Sequence, residues 1–225
     1  MKQASSTKFR VVTFLLAAVL GIQCIWLLLT EFSRSAVDDL PTDLHGAAIA
    51  SQQRNDATWA AWIGAVRGDL WGEAAYTYSD LLWTNNASNG AQTAKSLDEA
   101  RVRLDRAVRY APHQSGAWLL LAGLSARYRW SNSDPAGALK MSYYTGPSEL
   151  PLLPLRSLVA AQLPALDDEL QLFAKQDLRR LIARQDGPAI VHDYQFASPA
   201  GKQFIAQAVG EIDSAFRDSL HLGAP

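Results

Sequence analysis

The sequence predicts an all-α protein in which an apolar N-terminal helix precedes a domain of packed helices. Three observations point there. The stretch "VVTFLLAAVLGIQCIWLLL" (11–29) carries no charge and is long enough to cross a bilayer. From residue 44 onward helix formers dominate, and the period-two alternation of strands is nearly absent. Helix start signals then recur along the chain.

The apolar stretch comes first. Its 19 residues include twelve Leu, Ile, Val or Phe. As a helix it spans roughly 28 Å, close to the ~30 Å of a hydrocarbon core. The gain from those side chains outweighs the cost of Thr13 and Gln23. Lys2, Lys8 and Arg10 precede it without an acid, so the positive-inside rule places the N-terminus in the cytoplasm and everything after Thr30 across the membrane. The competing reading is a cleaved signal peptide, with "SRSA" (33–36) as its cleavage site. The apolar run exceeds the ~7–15 residues of such a segment, and Trp26 suits an interfacial belt, so an uncut anchor is expected. Gly21 and Gln23 could pack or hydrogen-bond between two such helices, which leaves a homo-oligomer open.

Composition bounds the remainder. Cys24 is the sole cysteine and lies inside the apolar stretch, so the outer domain is held by an ordinary core without disulfides or zinc thiolates. Residues 31–225 carry 18 Lys and Arg against 22 acids, a net −4, the opposite of a nucleic-acid footprint.

The helices follow in order. "EFSRSAVDDLPTD" (31–43) reads as a juxtamembrane linker ending in a capping Asp43. "ATWAAWIGAVRGDLWGEAAYTYSDLLW" (57–83) is rich in Ala and Trp and should break near Gly68. Its Trp59, Trp62 and Trp71, with Trp118 further on, sit at helical spacing among alanines and are expected in the core. Residues 84–95 are polar and rich in Asn, a surface loop; "SLDE" at 96–99 is a capping box that starts the next helix. Further starts are expected at Ser133 or Asp134 before Pro135, near Asp167, and at Ser198 before Pro199. About eight helices after the anchor result.

"ARVRLDRAVRYAPHQSGAW" (100–118) carries the organisation. Ala100, Leu104, Ala107 and Ala111 form one stripe, small enough for another backbone to approach, and Pro112 ends the helix. Trp118, Leu121 and Ala122 open the next. Leu139, Ser142 and Pro147 repeat the spacing of Leu104, Ala107 and Pro112, and Pro112 to Pro147 is 35 residues. Upstream, Trp71, Ala74, Ala75 and Tyr78 fall where a first helix would have them. This pattern resembles the tetratricopeptide repeat, whose period is 34. The resemblance covers about 70–163 and departs from the family at the 84–95 insertion, at Ser125 and at Leu153. It implies a TPR-like array of helical hairpins over 44–163 with a C-terminal helical cap over 164–225, after a cytoplasmic 1–10, a transmembrane 11–30 and the linker 31–43. It also implies a concave face carrying Tyr76, Asp80, Gly123 and Arg127, of the kind that binds protein segments. More loosely, "ALKMSYYTGPSELPLLPLRSLVAAQL", "DLRRLI" and "FASPAGKQFI" resemble small membrane-anchored helical envelope proteins of alphaproteobacteria, some associated with polysaccharide production.

Catalytic signatures are weak. Asp167, Asp168 and Glu169 cluster where a helix start favours negative charge. His45, His113, His192 and His221 are scattered without metal-ligand spacing, and there is no nucleophile elbow, P-loop or dinucleotide fingerprint. No enzyme, metal or cofactor is therefore expected. Arg101, Arg103, Arg106 and Arg109 form a basic patch suited to an acidic glycan or a phospholipid headgroup, although Glu99–Arg103 and Asp105–Arg109 also fit a solvated helix face. The expected function is a membrane-anchored periplasmic scaffold or adaptor that binds protein partners in an envelope complex. The alternative is a helical glycan-binding or hydrolytic domain released by signal-peptide cleavage.

Overall fold

The computed structural model describes residues 3–83 and 90–222. α1 (Gln3–Phe32) contains the apolar stretch, and its segment Phe9–Phe32 is long and apolar enough to cross a membrane. Eleven α-helices follow among the described residues, and none of these residues is in a strand.

Local chemistry explains most of the starts. The Asp43 carboxylate accepts from the Gly46 N–H at 2.6 Å and opens α2 (Leu44–Gln52). α3 (Arg54–Ile63) stops at Gly64, and α4 (Gly68–Tyr76) resumes after a turn, so the break expected near Gly68 is present. α5 (Gly90–Tyr110) begins six residues before the expected capping box. Ser96 is therefore inside the helix and buried, and the loop expected at 84–95 is helical from Gly90; its part at 84–89 lies outside the described residues. α6 (Ser115–Tyr128) and α7 (Pro135–Thr145) follow, the second capped by Asp134 with Pro135 in its first turn. α8 (Leu153–Gln162) leads to α9 (Asp168–Ala183), α10 (Gly187–Phe196), α11 (Pro199–Ile212) and the short α12 (Ser214–Ser219). Asp167, Asp186, Ser198 and Asp213 cap the last four by accepting from backbone N–H groups two or three residues into each helix.

Two antiparallel hairpins form the centre. α4 pairs with α5, and α6 with α7. Gly68 is required at the first contact: a Cβ there would stand 2.4 Å from the Ala111 backbone nitrogen. Ala107 and Ala122 are fully buried in one continuous core with Leu104, Leu119, Leu120 and Leu139. A second core joins Leu153, Leu178, Leu181, Ile190, Ile205 and Val209. α8 separates the two and is buried nearly all round, with Leu155 and Leu158 facing the first core and Leu153 and Ala161 the second.

One expectation is corrected. Trp71 is in the core and Trp118 packs against it, but Trp59 and Trp62 stand exposed, stacked on each other with ring centroids 6.0 Å apart. α3 is apolar on two sides, and the core takes the side of Ala57, Ala60 and Ala61, which lets helices approach closely. The segment after α1 packs on the domain. Val37 and Leu40 are buried, the Ala36 N–H donates to Gln53 Oε1 at 2.8 Å, and Arg34 binds Glu73 through Nε at 2.8 Å and Nη2 at 2.6 Å.

Candidate functional site

An open groove of about 730 Å³ lies between the α6–α7 turn and the start of α11. Its first wall is built by a sharp helix end. Arg129 takes the left-handed conformation (φ 50°), and the Trp130 N–H closes back onto the Ser125 carbonyl at 3.3 Å. Asn132 is also left-handed (φ 59°), and Ser133 donates to the Trp130 carbonyl at 2.7 Å. The turn therefore holds Trp130 at the rim, with the Arg101 guanidinium 5.7 Å from its ring.

The second wall is fixed as tightly. Ser198 accepts from the Gly201 N–H at 2.9 Å, donates through its hydroxyl to the Leu163 carbonyl at 2.9 Å, and donates its own N–H to the Ala161 carbonyl at 2.9 Å. Gly201 lets α11 touch the end of α8, because a Cβ there would lie 1.9 Å from the Ala161 oxygen. Between the walls lie Gln162 and the rings of Pro135, Pro164 and Pro199, with Arg129 exposed at the edge. An indole and three proline rings offer flat apolar contact, and the guanidinium offers paired donors to a carboxylate.

The four residues placed on a concave face by the repeat resemblance do not form one exposed patch. Tyr76 is buried and lines a separate pocket of about 320 Å³ with Asp38, Asp39, His113 and Glu149; burial first, then the charges of Glu149, Asp39 and Glu73, push its phenol upward. Asp80 accepts from Arg54 at 3.2 Å, and burial raises its carboxyl despite that partner. Gly123 is sealed beneath Leu82 and Val159. Arg127 is half-buried, 5.9 Å from the Tyr128 ring.

Several of the candidate chemical groups make contacts within the fold. Lys140 bridges Asp167 at 2.6 Å and Glu169 at 3.0 Å, tying α7 to α9, and Tyr144 also donates to Glu169. Those contacts hold both carboxyls below their usual range. Arg103 pairs with Glu99 and donates to Thr58 Oγ1 at 3.1 Å, and Arg106 lies 4.3 Å over the Trp71 ring. Among the described residues, no group of three or more His, Cys, Asp or Glu side chains is arranged to hold a metal ion.

Sequence reading missed the most buried charge. Arg156 is 0% exposed, donates through Nε to Ser142 Oγ at 3.0 Å and through Nη2 to the Ser142 carbonyl, and lies 4.9 Å over the Tyr143 ring. Asp177 is buried nearby, and desolvation pushes its carboxyl up to about 6 against Tyr143, Arg156 and Arg180. Glu73 is similar: burial outweighs its bond to Arg34 and pushes it up to about 7. Both clusters join elements far apart in sequence, so neither leaves a local motif. Comparison of the chain with protein-family models, curated proteins and solved structures gives no match.

Proposed function

We propose that this protein is a single-pass membrane-anchored adaptor whose helical domain binds a protein segment outside the cytoplasm. α1 crosses the inner membrane with its N-terminus in the cytoplasm, and α2–α12 work in the periplasm as a scaffold in a cell-envelope assembly. The basic N-terminal flank of α1 supports that direction. The α4–α5 and α6–α7 hairpins are read as two divergent tetratricopeptide-like repeats, and α9–α12, from Asp168 on, as their cap. Their antiparallel pairing across Gly68 and the shared burial of Ala107 and Ala122 support that reading. A polysaccharide-producing assembly is the setting that the envelope-protein resemblance favours.

The groove between Trp130 and Pro199 carries the binding proposal. Its chemistry suits an extended segment with an aromatic or proline side chain beside an acid, because stacking and a paired-donor guanidinium act together there. Tethering adds to the effect by raising the local concentration of the groove near membrane partners. The test places a photo-crosslinking side chain at Ala200, on the rim, and at Leu172, exposed on α9, in the full chain extracted from membranes. A discrete adduct from Ala200, absent at Leu172 and lost with Trp130→Ala plus Arg129→Glu, supports the reading. Identical adducts from both positions, or none sensitive to that double substitution, contradict it.

A further inference from the structure

α3 presents two unlike faces. Ala57, Ala60 and Ala61 are sealed in the core, while Trp59 and Trp62 project on the other side; Trp62 is 69% exposed, and Val66 in the next turn 63%. Stacked indoles beside an exposed valine are a large apolar area to leave in water.

The neighbours identify what covers it. The Trp26 indole N–H on α1 donates to the Ile63 carbonyl at 3.0 Å, and Arg67 donates to Thr30 Oγ1 at 3.1 Å and to Glu31 Oε1 at 2.6 Å. The end of α3 therefore runs beside the last turns of α1, where Leu27, Leu28 and Leu29 are also exposed. If the apolar run is embedded to Leu29, Trp26 lies about 4–5 Å inside its outer end, at 1.5 Å per residue. Ile63 and the turn after it share that depth, the boundary between headgroups and acyl chains where indoles are enriched. Beside the turn, Ala65, Val102, Asp105, Arg106, Arg109 and Tyr110 line a pocket of about 470 Å³ with two guanidiniums against one carboxylate. Two guanidiniums beside one carboxylate are chemistry suited to lipid phosphates.

We infer that α3 and the turn after it form a second membrane contact, with Trp59, Trp62 and Val66 lying in the headgroup layer of the leaflet from which α1 emerges. The domain is then held against the bilayer in one orientation. This inference rests on reading α1 as membrane-spanning.

The test keeps the two separable. Cys24, exposed on α1, carries a nitroxide in the otherwise unchanged chain; Val66→Cys and Leu172→Cys carry one each in a Cys24→Ser background. Each full-length protein is reconstituted in phosphatidylethanolamine–phosphatidylglycerol vesicles, and collisions with oxygen and with an aqueous nickel chelate are compared. The expected result is oxygen-dominated relaxation at Cys24, with nickel accessibility several-fold lower at position 66 than at position 172 and oxygen access retained at position 66. Oxygen-rich Cys24 together with nickel access at position 66 equal to that at 172 overturns the inference and leaves the anchor intact. Shielding of position 66 from both reagents overturns it in favour of a covering protein. Nickel access at Cys24 itself sinks the spanning reading and this inference with it.

Discussion

Glu73 joins the segment after α1 to the domain, and its buried charge sets a pH dependence. The side chain is almost wholly enclosed, one oxygen binds Arg34 and the other has no partner. Burial moves its pKa from 4.5 to about 7 in the folded protein. The folded state thus holds the proton more tightly than the unfolded chain. The corresponding stability is fully present below pH 4.5 and is lost as pH rises through 7. At 1.36 kcal/mol per tenfold change in proton affinity, the loss amounts to at most about 3 kcal/mol. Glu73→Gln keeps an acceptor for Arg34 and removes the charge. It should match the parent near pH 4.5 and exceed it at pH 8 by up to about 3 kcal/mol, or roughly 6–12 °C in Tm for a domain of this size. Thermal unfolding of the full chain in detergent, followed by circular dichroism between pH 4.5 and 8, measures both curves. Arg34→Ala should show the opposite sensitivity, mild at pH 5 and severe at pH 8, because it leaves the carboxylate buried alone. Parallel curves for parent and Glu73→Gln, or a less stable variant at pH 8, would show that the buried Glu73 charge carries no such cost.

Three further outcomes follow from the packing. Gly201→Ala drives a Cβ into the Ala161 carbonyl and should cost roughly 1–3 kcal/mol in urea unfolding, through lost contact between α11 and α8. Arg156→Met strips the Ser142 carbonyl and hydroxyl of a donor and leaves Asp177 with less positive charge nearby; a loss of roughly 3–5 kcal/mol is expected by the same measurement. Asp43→Ala removes the cap of the exposed start of α2 and should cost about 1 kcal/mol without changing the helical spectrum.

Local features were legible in the sequence, and relations between distant segments were not. Asp43, Asp134, Asp167 and Ser198 each cap the helix that follows them, because a cap needs an acceptor and a backbone N–H three residues away. The stripe from Ala100 to Ala107 and its counterpart at Ala122 meet in one core, since small residues at helical spacing permit close approach. Periodicity failed where a helix is apolar on both sides: in α3 the alanines and the tryptophans occupy opposite faces, and the neighbours decide which face turns inward. The start of α5 was misplaced because Ser96 and Glu99 match a capping box yet lie within a helix that continues back to Gly90. The groove was invisible because it joins residues near 130 to residues near 162 and 199, each unremarkable in its own stretch.

Topology tests most directly whether α1 holds the folded domain on the far side of the inner membrane. The decisive measurement is reaction of Leu172→Cys, in a Cys24→Ser chain, with a membrane-impermeant maleimide, comparing intact spheroplasts with inverted vesicles. Modification in spheroplasts, protection in inverted vesicles, and a protein that stays in the membrane fraction at full length are expected. Modification in inverted vesicles alone, or a shortened chain in the soluble fraction, would contradict that placement.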